Sequence, residues 1–322
     1  MGRNAIVGQS GGPTAVINSS LVGVFQAAKS RGAQHVYGMR YGVKGLLEEQ
    51  VVDLSDTLRD NLDIEILKRT PASYLGSCRY KLPVPAEDPA LYEKLFGILK
   101  KLDVGYFFYI GGNDSMDTIS KLSDYACMTG SDIKFMGVPK TIDNDLMNTD
   151  HTPGYGSAAK YIGAIMKEIT RDSLVYGTRN VTIVEVMGRN AGWLTGAAAL
   201  AKAEDCEGVD MICLPEVAFD IDHFIERLDV LQRAKAGVVI AVSEGVRVHD
   251  GRYVCELTEE LGPVDAFGHK TLTGAARFLA NKAVRELGCK ARAIELSTLQ
   301  RCSSHMASRV DITEASQVGS AS

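Results

Sequence analysis

Four short stretches carry the residues that could do chemistry. The densest is Pro139-Lys140-Thr141-Ile142-Asp143-Asn144-Asp145-Leu146, where two carboxylates stand two residues apart beside a lysine and a threonine. Such a group can hold a metal and accept a proton. That suits phosphoryl transfer, in which a protein mainly aligns donor and acceptor and neutralises charge, while a carboxylate takes the acceptor's proton. An acidic surface turn is the plain alternative, and the apolar strands expected nearby weigh against it. Gly8-Gln9-Ser10-Gly11-Gly12-Pro13 and Gly111-Gly112-Asn113-Asp114-Ser115 are glycine turns at strand-to-helix junctions. Backbone N–H groups at a helix start, with no Cβ in the way, bind anions. Taken alone, the first is an ordinary tight turn and the second a helix cap, since Asn, Asp and Ser are favoured caps. Neither turn matches G-x-G-x-x-G or the P-loop pattern, which disfavours nicotinamide and Walker-type chemistry. The fourth stretch, Glu185-Val186-Met187-Gly188-Arg189, ends a strand in an arginine whose planar fork suits a phosphate. Arg79, Arg292 and Arg301 also fall in or beside strands and turns. Any one of these arginines is more often a surface residue. Four of them in a chain of net charge −5 suggest a focused cationic site for a polyanionic substrate.

Holding these turns requires a regular scaffold, and the apolar pattern supplies one. Strand-like runs at 4–8, 104–110, 133–138, 180–186, 211–214, 237–242 and 291–296 alternate with helical spacing at 17–28, 157–171, 190–203, 221–234 and 272–287. Strands apolar throughout, with helices between them, imply parallel sheets covered on both faces, with ligands beyond the carboxyl ends of the strands. The chain has 322 residues, enough for about two domains. Its 45% hydrophobic and 23% charged residues are those of an ordinary globular protein. No apolar run approaches the roughly 18 residues of a membrane span, and the first residues lack a signal-peptide pattern. The negative net charge argues against nucleic acid as a partner. Seven scattered cysteines without a C-x-x-C pair indicate neither zinc nor a redox motif and point to a reduced, cytoplasmic setting.

In combination, the Gly-Gly-x-x-Ser turn, the Thr-Ile-Asp-Asn-Asp loop and the Glu-Val-Met-Gly-Arg strand end resemble the phosphofructokinase family, in order and spacing, over residues 4 to 318. The resemblance implies an α/β fold of two Rossmann-like three-layer domains with mainly parallel sheets and an interdomain active-site cleft. Residues 1–154 plus 300–322 would form the donor domain, and 155–299 the fructose 6-phosphate domain. The family transfers a phosphoryl group to the 1-hydroxyl of fructose 6-phosphate, with Mg²⁺, from ATP or pyrophosphate. By resemblance Asp143 is the base, with Thr141 and Asp145 beside the transferred group. Met187, Gly188 and Arg189 contact the sugar and the reaction centre, and Glu244 the sugar hydroxyls. Arg292 and Arg301 grip the 6-phosphate. Arg79 faces the transferring phosphoryl, and Gly11, Gly12 and Gly112 lie at the donor phosphates.

Two positions separate the subfamilies. ATP users carry glycine at the places of Asp114 and Lys140, whereas an aspartate paired with a lysine resembles the pyrophosphate-dependent group. Asp114 would repel a nucleotide α-phosphate and Lys140 would charge-match the short inorganic donor. Val43 replaces an aromatic residue that packs on adenine. The resemblance therefore favours reversible pyrophosphate-dependent phosphorylation of fructose 6-phosphate, a glycolytic or gluconeogenic step, by a cytoplasmic homo-oligomer, dimer or tetramer. An ATP-dependent or dual-donor enzyme, and a non-catalytic regulatory subunit, are the alternatives. Asn113 stands where most members have a metal-associated aspartate, so Asp114, with Asn113, is the expected Mg²⁺ position. Asn180 replaces an arginine, and the chain stops short of the family's usual end, as if truncated. His269 resembles a feature of the pyrophosphate group.

Overall fold

Residues 3–175, 177–257 and 273–322 are described by the computed structural model, so Leu272 and His269 lie outside the described residues. Among the described residues, nine strands alternate with helices: β1 Asn4–Gln9, β2 Val36–Met39, β3 Val51–Asp53, β4 Val104–Gly111, β5 Lys134–Pro139, β6 Asn180–Val186, β7 Met211–Cys213, β8 Gly237–Ser243 and β9 Lys290–Glu295. The chain divides into two units. The first comprises Met1–Ile142, Thr149–Ser157 and Arg301–Ser322, and the second Asp143–Asn148 and Ala158–Gln300. A break was expected near residues 155 and 300. The difference is the six-residue piece Asp143–Asn148, which goes with the second unit and carries the two loop carboxylates.

The first unit holds a five-stranded sheet in the order β3-β2-β1-β4-β5. All neighbours are parallel except β2 and β3. Successive residues of a strand face opposite sides. Accordingly Ala5 and Val7 join a core with Ile17, Leu21 and Ile110, while Ile6 joins another with Met39, Leu95, Phe107 and Tyr109. Burial on both sides is why β1 is apolar from Ala5 to Val7, between the buried polar ends Asn4 and Gln9. The helix Ile17–Ser30 packs against the C-terminal helix Arg309–Ala321 at backbone distance. A Cβ on Gly23 would lie 2.0 Å from Ser316 O, and one on Gly319 would lie 2.2 Å from Ser20 O.

The second unit holds a wholly parallel sheet, β7-β8-β6-β9. Val181, Ile183, Val238 and Ile240 bury one face beneath the helices Ile221–Ala234 and Ala275–Leu287, through Phe224, Leu228, Leu279 and Ala283. One expectation needs correcting. The pattern at 190–203 is not one helix but a short turn of helix, Trp193–Gly196, followed by the 3₁₀ stretch Ala197–Ala201. Strands β2 and β3 were not foreseen; β3 is antiparallel, and the sheets are mainly parallel as expected.

Candidate active site

In the first unit the two glycine turns and the Lys140–Ile142 start of the third stretch converge where β1, β4 and β5 end. Ser10 N donates to Ile110 O at 2.9 Å, and Lys140 N donates to Gly111 O at 3.0 Å, so each turn is stitched to the next strand. The Ser10 and Ser115 hydroxyls hydrogen-bond each other across the two glycine turns. Gly111 must be glycine here, since a Cβ would lie 1.8 Å from Ser115 Oγ. The first turn reverses at Gly11, whose φ of +72° suits glycine. It is held from outside by Gly11 N donating to Cys78 O at 3.2 Å and Ser77 Oγ donating to Gly11 O at 2.6 Å. Arg79, the next residue, is exposed.

Two cations lie against these glycines. Lys140 is only 5% exposed, and its Nζ lies 3.4 Å from where a Cβ on Gly11 would stand. Arg301 Nη1 lies 2.9 Å from the same position on Gly12. The space above both glycines is therefore basic. The helix Asn113–Thr129 starts at Gly112 with no side-chain cap, and its first turn carries Asp114. Asn113 and Asp114 are both exposed. A glycine turn with backbone N–H groups beside an ammonium and a guanidinium can hold an anion, and an uncapped helix start follows at the neighbouring turn.

The second unit gathers a different set. The turn Met187–Arg189 after β6 lies on the turn Ser243–Gly245 after β8. Glu244 N donates to Val186 O at 2.9 Å, Ser243 Oγ donates to Gly188 O at 2.7 Å, and Gly188 N reaches Glu244 Oε1 at 3.4 Å. A Cβ on Gly245 would lie 2.0 Å from Arg189 O. Met187 N donates to Oε1 of the buried Gln300 at 3.1 Å. Burial pushes the Glu244 carboxyl up to about 7, helped by the charges of Glu185 and Asp143 and opposed by Gly188 N–H and Arg189. Glu185 is itself raised by burial, although it accepts Ala276 N at 2.9 Å and so caps the helix Ala275–Leu287. Asp143 is half-buried and Asp145 exposed.

Within each unit, then, Gly11, Gly12, Gly112, Lys140 and Arg301 come together, and so do Asp143, Gly188, Arg189 and Glu244. Thr141, still in the first unit, and Asp143, in the second, are two residues apart in the chain. Arg292 is not gathered with the second set. It pairs with Thr182 near the start of β9, three residues before the strand's end, roughly 10 Å at a strand's rise. Its side chain is 66% exposed, with Nη1 3.9 Å from Asp172. Sequence reasoning missed the supporting residues Ser10, Ser77, Ser115, Ser243 and Gln300. Ser115 alone had a local signal, as a helix-start serine.

The phosphofructokinase family model matches residues 4–322. The chain belongs to the phosphofructokinase family. A pyrophosphate–fructose 6-phosphate 1-phosphotransferase of Methylococcus capsulatus is 41% identical, with 99% of this chain and 76% of that protein covered. The crystal structure of a pyrophosphate-dependent phosphofructokinase from Nitrosospira multiformis superposes with a TM-score of 0.85 at 36% identity, covering 99% of this chain and 75% of that one. One from Marinobacter aquaeolei gives 0.84 at 38%, covering 99% and 74%. The chain thus spans about three quarters of the length of these phosphofructokinases. Among the described residues no helix is long and apolar enough to cross a membrane.

Proposed function

We propose that this phosphofructokinase transfers a phosphoryl group reversibly from pyrophosphate to the 1-hydroxyl of fructose 6-phosphate, giving fructose 1,6-bisphosphate and phosphate. The observation that carries the choice of donor is Lys140, a buried lysine with its ammonium against the Gly11 turn. A compact point charge there matches a short inorganic diphosphate. Asp114, in the first turn of the neighbouring helix, sets a carboxylate against any longer polyphosphate chain. The pyrophosphate-dependent relatives support the same reading.

In this reading the glycine turns, Lys140 and Arg79 hold the donor and neutralise its charge; Arg301, expected at the 6-phosphate, is read with them because its Nη1 lies against the Gly12 turn. Asp143 takes the proton of the attacking hydroxyl, and Thr141 and Asp145 flank the transferred group. Arg189 steadies the charge that develops on the moving phosphoryl. Met187, Gly188 and Glu244 hold the sugar, and Arg292 remains a proposed contact of its 6-phosphate. A bound Mg²⁺, held by Asp114 and Asn113, would supply neutralisation of the donor's charge. It usually keeps several waters and takes one or two protein oxygens plus substrate phosphates. Asp114 and the Asn113 carboxamide, both exposed beside the glycine turns, fit that demand. Among the described residues no group of three His, Cys, Asp or Glu side chains could hold an ion on its own, which agrees with a metal carried largely by the donor. The chain is read as assembling into a homo-oligomer, a dimer or tetramer, testable by light scattering.

Phosphorus NMR of the purified chain with fructose 6-phosphate, pyrophosphate and Mg²⁺ tests this. Phosphate and fructose 1,6-bisphosphate should appear in equal amounts, and the reverse mixture should regenerate pyrophosphate. Pyrophosphate left intact, or hydrolysed without sugar phosphorylation, contradicts the proposal.

A further inference from the structure

We propose that Asp311 is a positioning residue for the donor site: from the first turn of the C-terminal helix it anchors the segment 149–157, which in turn clamps the Lys140–Thr141 backbone. The inference rests on reading Lys140 as the donor-binding cation. Asp311 is buried, 3% exposed. It accepts hydrogen bonds from Gly154 N at 2.9 Å, Ser157 N at 2.8 Å and Ser157 Oγ at 2.6 Å. Ser157 Oγ accepts Ser308 N at 3.0 Å, which closes the link back to the residue that starts the C-terminal helix. One carboxylate thereby satisfies backbone donors at the start of the helix Tyr155–Ser173, where negative charge is favourable.

The anchored segment grips the lysine loop directly. Thr141 N donates to Pro153 O at 3.2 Å, Thr152 Oγ1 donates to Thr141 O at 2.9 Å, and Thr141 pairs with Gly154 in a parallel bridge. From the opposite side Lys140 N donates to Gly111 O at 3.0 Å. The Lys140–Thr141 backbone is therefore held between β4 and a segment whose own position depends on Asp311. Gly154 adds a second constraint. It has φ +113°, and a Cβ there would lie 2.6 Å from Thr14 Cγ2, so the segment also abuts the end of the first glycine turn. An exposed pair, His151 Nε2 to Glu314 Oε2 at 2.5 Å, joins the same two elements one helical turn further on.

A carboxylate buried this deeply is costly, and burial pushes its pKa up despite the hydrogen bonds that oppose the rise. An apolar side chain would pack there more cheaply, but it would leave Gly154 N and Ser157 N unpaired and release the clamp. Small displacements of a positioning backbone are enough to matter, since a shift of about 1 Å can cost roughly a hundredfold in rate.

The test compares pyrophosphate binding, by calorimetry on the full chain, with the fructose 6-phosphate response of Trp193, the only tryptophan. Asp311→Ala should weaken pyrophosphate binding roughly tenfold or more, with the sugar response unchanged within about twofold. Asp311→Asn, which keeps one acceptor, should recover most of the loss. Should Asp311→Ala fail to fold, Thr152→Val removes only the hydroxyl that holds Thr141 O. It should weaken pyrophosphate by about threefold at an unchanged melting temperature. Pyrophosphate binding unaltered in either Asp311→Ala or Thr152→Val, or equal losses for both ligands, overturns the inference. A wild-type chain that binds pyrophosphate but does not turn it over would sink the proposed function while leaving this comparison decisive.

Discussion

Where β1, β4 and β5 end, the first unit gathers glycine N–H groups, Lys140 and Arg301. Where β6 and β8 end, the second gathers Glu185, Asp143 and Arg189 about the Glu244 carboxyl. Both sites sit at the carboxyl edge of parallel strands and both depend on glycine for close backbone approach, yet their charges are opposite. The proposed reading follows this contrast: a diphosphate needs donors and positive charge, as backbone amides and two cations offer, and sugar hydroxyls need acceptors and a place to leave a proton, as carboxylates offer. The difference also divides the pH response, because burial raises the Glu185 and Glu244 carboxyls of the second unit above their ordinary range.

The largest effect expected from breaking this contrast is at Asp143. Asp143→Asn should lower the forward rate about a thousandfold with sugar affinity kept within about threefold. A near-normal rate removes the base assignment. Next comes Glu244, whose carboxyl stands at about 7 against an ordinary 4.5. Raised in this way, it binds a proton more tightly in the folded chain than in the unfolded one. Its contribution is full below pH 4.5 and is lost as the pH rises to 7, amounting to about 3 kcal/mol across the window. Glu244→Gln should flatten that fall in denaturant titrations run at several pH values. An unchanged slope would assign the pH dependence elsewhere.

Lys140→Gly should cost about a hundredfold in kcat/KM for pyrophosphate, and adding Asp114→Gly should raise use of ATP. A pyrophosphate preference that survives both changes would refute donor selection by this pair. The smallest effect is at Arg292, where alanine should change stability by less than about 0.5 kcal/mol, as for an exposed ion pair. A larger loss by thermal melting would mean that Arg292 and Asp172 support the sheet.

Much of this was legible from residue types. β6 and the helix Ile221–Ala234 match their apolar patterns to the residue, because β6 is buried on both faces and the helix keeps one buried face along its length. The run at 190–203 reads as helical from its alanines, but Gly192 and Gly196 interrupt it, and Gly192 N is tied to Glu216 Oε1 at 2.6 Å. β3, three half-buried residues long, leaves no periodic trace. The turn residues of both sites were visible because glycine, lysine and carboxylates in turns are rare enough to stand out. Their supports were not: Ser10–Ser115, Gln300–Met187 and Asp311–Ser157 pair residues 105, 113 and 154 positions apart, which no local pattern encodes. Arg292 shows the reverse case. Its residue type suggested a phosphate contact, whereas its register near the start of β9 sets it away from the carboxyl-end cluster.

The donor decides the account. Initial rates of fructose 6-phosphate phosphorylation by the purified chain, with pyrophosphate and with ATP at one fixed Mg²⁺ concentration, should favour pyrophosphate by about a hundredfold or more in kcat/KM. Equal rates with ATP, or turnover with ATP alone, would contradict the role given to Lys140 and Asp114.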